Sequence, residues 1–253
     1  MNYGYIKDEI DDRDEIFGSI SSTPFEILQE SSDWIEFLPP QELQSRGSIE
    51  PYSCVPSSIL KNIQTLIKRK YGIDRNYSER FLSILAETGK NGGSSPRAVL
   101  QFLRKIGVPL DKHLPFDESI TTFDEYFIKL SPKLMALAKE FTDEWNLRYD
   151  EVNLKDIPEA LKSSPLIASV SAWFQKGEKY YKPEGSRDNH LTLLYKVNGV
   201  YDTYIDGDGD AFKTLEENYK HETVKRFHIE QKEAIIKGNW LQDLVARLLD
   251  LFK

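Results

Sequence analysis

One stretch constrains the fold more than any other. Between Glu50 and Gly72, Val55, Ile59, Leu60, Ile63, Leu66, Ile67 and Tyr71 recur at helical spacing. Pro56 falls where a helix tolerates a missing N–H, and Gly72 falls where a helix stops. The stretch therefore predicts one long, half-buried helix. At its N-terminus sits the chain's only cysteine, Cys54. Free amide N–H groups and the helix dipole at such a position favour thiolate over thiol. The same pattern suits an inert, buried thiol, so what separates the two readings is a base elsewhere in the chain.

At 253 residues the chain is long enough for one large domain or two lobes. A net charge of −8 argues against a general binder of phosphate backbones, so no nucleic-acid partner is expected. No apolar run is long enough for a transmembrane span, and the acidic start MNYGYIKDEIDDRDEIF lacks the apolar core of a signal peptide. A single cysteine excludes an internal disulfide and an all-cysteine metal site. The expectation is a cytoplasmic protein without metal or cofactor, with phage-encoded origin an option.

Residues 1–30, with Asp8, Glu9, Asp11, Asp12, Asp14 and Glu15, read as a flexible, solvated acidic arm. Beyond the cysteine helix, NYSERFLSILAETG, RAVLQFLRKIG and LSPKLMALAKEF are helical. Near residue 145 the period changes. Trp145–Val152, Pro165–Trp173, His190–Val197, Tyr201–Asp206 and Glu222–Ile229 read as strands, with the helical segment LKDIPEALKSS between the first two. Asn198-Gly199 is a two-residue hairpin turn. The fold class is α+β: a helical lobe over about 45–144, a β lobe over about 145–230, and an amphipathic helix within 231–253. That last helix, with its apolar stripe over 240–252, is a candidate for docking a partner.

Four histidines can be tested as bases. His113 and His221 lie in polar or charged segments, and His228 lies late in a strand. His190 opens an apolar strand behind the polar loop KPEGSRDN, which suits a side chain presented from a lobe edge. It lies 136 residues after Cys54, inside the interval of roughly 130–150 that separates cysteine from histidine in papain-type enzymes. The run Asp206-Gly207-Asp208-Gly209-Asp210 also has the look of a calcium loop, with Glu217 at its twelfth position. Ala211 in place of the required glycine and Lys213 in place of an apolar residue speak against it.

The order and spacing of these residues resemble the papain-like cysteine peptidases. In that family the cysteine opens a long central helix in a helical lobe, and the histidine opens a strand in a barrel-like second lobe. The resemblance implies a two-lobed fold over residues 31–230, with Cys54 as nucleophile and His190 as base. Asp206, after the hairpin, stands where the family's orienting Asn or Asp stands. Asn189 matches the residue that often precedes the histidine. Gln44 and the Cys54 backbone N–H would form the oxyanion hole, and Gly92-Gly93 would pair with an extended peptide or protein substrate. Asp33-Trp34 and Pro165–Ala168 add weaker matches. PYSCV replaces the family's CGSCW, and the Asn-Ser-Trp-Gly signature is absent. Hydrolysis would run through a thioester acyl-enzyme, without cofactor. The rivals are an inactive relative that binds peptides through the same cleft, and a cell-wall amidase or acyl transferase built on Cys-His-Asp chemistry.

Overall fold

The structure is a computed structural model that describes residues 3–20, 24–42, 44–45, 49–202 and 211–232. Its axis is α1, Cys54–Tyr71, followed by α2 (Glu79–Leu85), α3 (Thr88–Asn91), α4 (Pro96–Lys105), α5 (Phe123–Tyr126), α6 (Pro132–Glu144) and α7 (Ile157–Ala160). Gly72 closes α1 with a positive φ of 66°, a conformation that costs glycine little.

The sequence implied a half-buried helix, but every residue of α1 from Cys54 to Ile67 is buried. Most of the polar face is held by hydrogen bonds rather than by solvent. Ser58 Oγ donates to Leu191 O at 2.8 Å, Asn62 Nδ2 to Pro165 O at 2.6 Å, and Lys61 Nζ to Glu42 at 2.8 Å. Hydrogen bonds of this kind remove most of the cost of burying polar groups. The apolar face packs with Phe81, Leu82, Val99, Leu100 and Leu103 from α2 and α4. The other helix predictions hold in outline. Ser78, Ser95 and Ser131 accept from the N3 amides of α2, α4 and α6, which is how short polar side chains start helices.

The strands are β1 (Trp145–Glu151), β2 (Leu166–Val170), β3 (Phe174–Lys176), β4 (Lys179–Tyr181), β5 (His190–Lys196), β6 (Gly199–Tyr201), β7 (Phe212–Thr214) and β8 (Val224–Gln231). Six form one antiparallel sheet in the order β1-β8-β2-β5-β6-β7, and β3 and β4 form a separate hairpin. The sheet is open, so the barrel implied by the resemblance is only loosely present. The chain turns from β5 to β6 one residue earlier than the Asn198-Gly199 dipeptide predicts: Val197 and Asn198 form the turn, Asn198 at a φ of 58°, and Gly199 already pairs with Lys196 as the first residue of β6, after a register shift between Leu194 and Lys196. α1 lies against β5, so the two elements that begin with Cys54 and His190 share one interface.

The N-terminal residues do not stand off as a solvated arm in this structure. Asp8 accepts from the Arg97 N–H at the first turn of α4 (3.0 Å) and pairs with Lys225 at 3.1 Å, while Asp14 pairs with Arg97. A carboxylate at a helix N-terminus meets unpaired amides and the positive end of the dipole. The strand-like contact of Ile16 with Glu151 extends the sheet beyond β1. Two members of the acidic run, Asp8 and Asp14, are thus matched to cations of the body, while Asp11 pairs with Arg13 within the segment and Glu9 and Asp12 are exposed. No described helix is long and apolar enough to cross a membrane. The C-terminal segment 233–253, with its proposed docking helix, lies outside the described residues.

Candidate active site

Cys54 is the first residue of α1 and is fully buried. Its N-cap is Ser53, whose hydroxyl is turned away to donate to Glu79 at 2.6 Å. Burial pushes the Cys54 thiol well above its ordinary range. A backbone hydrogen bond at Leu191 opposes the shift, and the carboxylates of Glu50, Asp202 and Glu79 add to it. The thiol is therefore neutral in this closed arrangement. Its backbone partner, Leu191, is the residue that follows His190 in β5.

His190 opens β5 and is also fully buried. Its Nε2 lies 2.7 Å from Asp202 Oδ1. Burial disfavours a charged Asp202, but the His190 imidazole and the Lys213 ammonium outweigh it and hold the carboxyl below its usual range. The edges of two aromatic rings close on His190: Trp173 with centroids 5.7 Å apart, and Tyr3 at 5.5 Å.

Asp206, the expected orienter, lies outside the described residues. The carboxylate that the described residues place on His190 is Asp202, and the hairpin explains why. Leu193 faces Tyr201 and Leu194 faces Val200 across β5 and β6. Continuing that register puts Asp202 on the His190 face as a diagonal cross-strand neighbour, within reach of a long or ring side chain. The sequence did not carry this signal: counting from a two-residue turn at Asn198-Gly199 puts Asp202 on the opposite face, and the register shift between Leu194 and Lys196 is what brings it to the His190 face. Asp208, Asp210 and the start of the calcium-like run also lie outside the described residues. Of its remaining members, Lys213 donates to Asp202 at 3.0 Å and Glu217 pairs with Lys179 at 3.7 Å.

Gln44 is buried in the segment that leads into α1, and Gly47 lies outside the described residues. Asn189 is fixed by its own side chain, which accepts from Ala172 N at 2.8 Å. Its backbone carbonyl points into the cleft, where it accepts from Tyr3 N at 3.1 Å. On the opposite wall, Gly92 and Gly93 adopt positive φ, and Ser94 N donates to Gly4 O at 2.9 Å. Ile6 N returns a bond to Ser94 O at 3.0 Å, so Tyr5 and Ser94 pair as parallel strands. Residues Tyr3–Ile6 thus run through the cleft, bonded to both walls. Glycine is required twice in this passage. A Cβ on Gly93 would lie 2.2 Å from Gly4 O, and a Cβ on Gly4 would lie 2.3 Å from Tyr52 O. The Tyr5 side chain is buried, with its hydroxyl 2.7 Å from Thr223 Oγ1.

Xylellain, a cysteine protease from Xylella fastidiosa, is 19% identical, with a TM-score of 0.61 over 91% of this chain and 96% of its own. The bromelain protease of Ananas comosus is 14% identical, with a TM-score of 0.56 over 78% of this chain and 98% of its own. The clostridial cysteine protease Cwp84 is 17% identical, with a TM-score of 0.59 over 79% of this chain and 57% of its own. The chain has the papain-like fold. No protein-family model and no curated protein matches the sequence. On this fold the cysteine-bearing central helix and the histidine-bearing strand are the two elements already seen to meet at Cys54 and Leu191. Sequence reasoning found both. It missed Asp202, Lys213, Trp173 and the passage of Tyr3–Ile6 between Asn189 and Ser94.

Proposed function

We propose that the chain is a cysteine-type peptidase, held closed in this structure by its own residues Tyr3–Ile6. The observation that carries the reading is the buried His190–Asp202 pair at 2.7 Å, set at the head of the strand whose next residue bonds the Cys54 sulfur. A buried carboxylate on Nε2 fixes the tautomer and leaves Nδ1 as the nitrogen that a neighbouring thiol would use.

With a peptide in place of Tyr3–Ile6, the chemistry follows from residue types. His190 takes the Cys54 proton, and the thiolate attacks the carbonyl carbon of the scissile bond. The carbonyl electrons move to oxygen, and the Cys54 backbone N–H at the start of α1, with Gln44, stabilises that oxyanion. The C–N bond then breaks as His190 returns its proton to the amine. Water, deprotonated by His190, attacks the thioester and releases the acid with the thiol restored. Asp202 holds the imidazole in position throughout. The Asn189 carbonyl and the Ser94 backbone, now bonded to Tyr3–Ile6, are the groups that would bind an extended substrate chain.

The reading is tested by labelling with an epoxide of the E-64 type in the Gly4→Ala background, whose added Cβ would displace Tyr3–Ile6, comparing Gly4→Ala with Gly4→Ala/His190→Ala. Labelling at Cys54 that depends on His190 is the expected result. Equal, slow labelling of both chains would remove His190 from the chemistry and leave a peptide-binding relative as the better account.

A further inference from the structure

Lys213 carries a role that the peptidase chemistry does not require. Strand β7 is inverted with respect to ordinary patterning: its apolar Phe212 is 41% exposed, while Lys213 beside it is only 8% exposed. Lysine is among the residues least often buried, and an unpaired buried ammonium is costly. Lys213 is paired. The Nζ donates to Asp202 Oδ2 at 3.0 Å, while Asp202 Oδ1 serves His190. The ammonium also stands over the face of Trp173, 4.9 Å from the ring centroid, and 5.9 Å from that of Tyr180. Aromatic faces of this kind attract a cation without neutralising it.

The register explains the row. Val200 faces Lys213 and Tyr201 faces Phe212, and Asp202 N donates to Ala211 O at 2.7 Å. Asp202 is therefore the diagonal neighbour of His190 on one side and of Lys213 on the other. Three adjacent strands align imidazole, carboxylate and ammonium on one face of the sheet.

We infer that Lys213 is a positioning residue of the site: it holds Asp202 by the oxygen that His190 does not use, and it limits how strongly that carboxylate favours imidazolium. A carboxylate alone would raise the basicity of the imidazole. A carboxylate shared with a fixed ammonium orients the ring while adding a repulsive charge behind it. Trp173 touches both His190 and Lys213, so the ring that screens the imidazole also seats the ammonium. The other groups facing this row are Tyr3 toward His190, Cys54 within reach of the Asp202 charge, and Tyr180 toward Lys213. The geometry stands by itself, and only the catalytic consequence rests on the peptidase reading.

The test uses the full chain with Lys213→Met, Lys213→Gln and Lys213→Arg, each also combined with Cys54→Ala. Proton affinity of the His190 ring is read by NMR titration in the Cys54→Ala background, with His190→Ala assigning the signal. Methionine and glutamine are expected to raise that affinity at least about threefold, because a positive charge has been withdrawn. Arginine is expected to leave it within about twofold. An unmoved or lowered affinity in folded Lys213→Met or Lys213→Gln overturns the inference, and so does loss of the fold in both, which would make Lys213 a structural cation only. If the affinity shifts as expected but Cys54 labelling is indifferent to His190, the peptidase reading fails and the assignment of Lys213 stands.

Discussion

Replacing Gly4 with alanine should open the site. Gly4 has a φ of 105°, and an added Cβ would lie 2.3 Å from Tyr52 O and 2.6 Å from Tyr52 C, both backbone atoms that cannot swing aside. Strain of that kind costs about 1–3 kcal/mol where the surroundings hold it in place. If the segment leaves instead, it gives up the bonds Tyr3 N to Asn189 O, Ser94 N to Gly4 O and Ile6 N to Ser94 O. Those bonds are worth about 1 kcal/mol each. The closed arrangement is thus weakened by roughly 2–3 kcal/mol, which is a thirtyfold to hundredfold rise in the open population while closed still dominates. The assay is the rate of Cys54 alkylation by a small reagent, followed by intact mass, with thermal unfolding measured in parallel. Gly4→Ala should be labelled at least about tenfold faster than wild type with its unfolding transition retained. An unchanged labelling rate in a folded variant would refute the idea that Tyr3–Ile6 shields the thiol.

Three further outcomes follow. Thr223→Val removes the partner of the Tyr5 hydroxyl (2.7 Å) and should speed Cys54 labelling several-fold, through loss of about 1 kcal/mol; an unaltered rate would detach Tyr5 from closure. Asp202→Ala should lower kcat/KM on cleaved peptides by at least about a hundredfold, measured in the Gly4→Ala background, because no acceptor at that position then fixes the imidazole tautomer; near-normal turnover would point to another orienter, such as Asp206. Burial pushes the Glu79 carboxyl up to about 7 from its ordinary 4.5. The folded state then keeps a proton that the unfolded state has released, so stability falls as pH rises from about 4.5 to 7, by about 3 kcal/mol in full. Glu79→Gln should flatten that slope in denaturant titrations across the window; a slope identical to wild type would show that Glu79 does not cause it.

The sequence made α1, the existence of the β5–β6 hairpin (though not its exact turn) and the positions of Cys54 and His190 legible, because each rests on a local rule: helical period, turn chemistry, a residue at an element's start. The short strands β3, β4 and β7 were not legible. Each is three residues long, too short for an alternating pattern to show. Lys213 broke the pattern outright, since its burial depends on a carboxylate at the end of the neighbouring strand and on Trp173 from another loop. The acidic N-terminus was misread for the same reason. Six acidic residues in eight suggest solvation by composition, whereas Asp8 and Asp14 are matched to Lys225 and Arg97, distant in sequence. Asp202 was hidden by the register shift between Leu194 and Lys196, an irregularity that no turn rule predicts.

Cleavage itself tests the central claim most directly. A peptide library of mixed sequence, incubated with the Gly4→Ala chain and with Gly4→Ala/Cys54→Ala, can be read by mass spectrometry for new termini. The account predicts cleaved peptide bonds that vanish with Cys54. An opened chain whose Cys54 is alkylated rapidly, yet which cleaves nothing that the cysteine-free chain leaves intact, would contradict it.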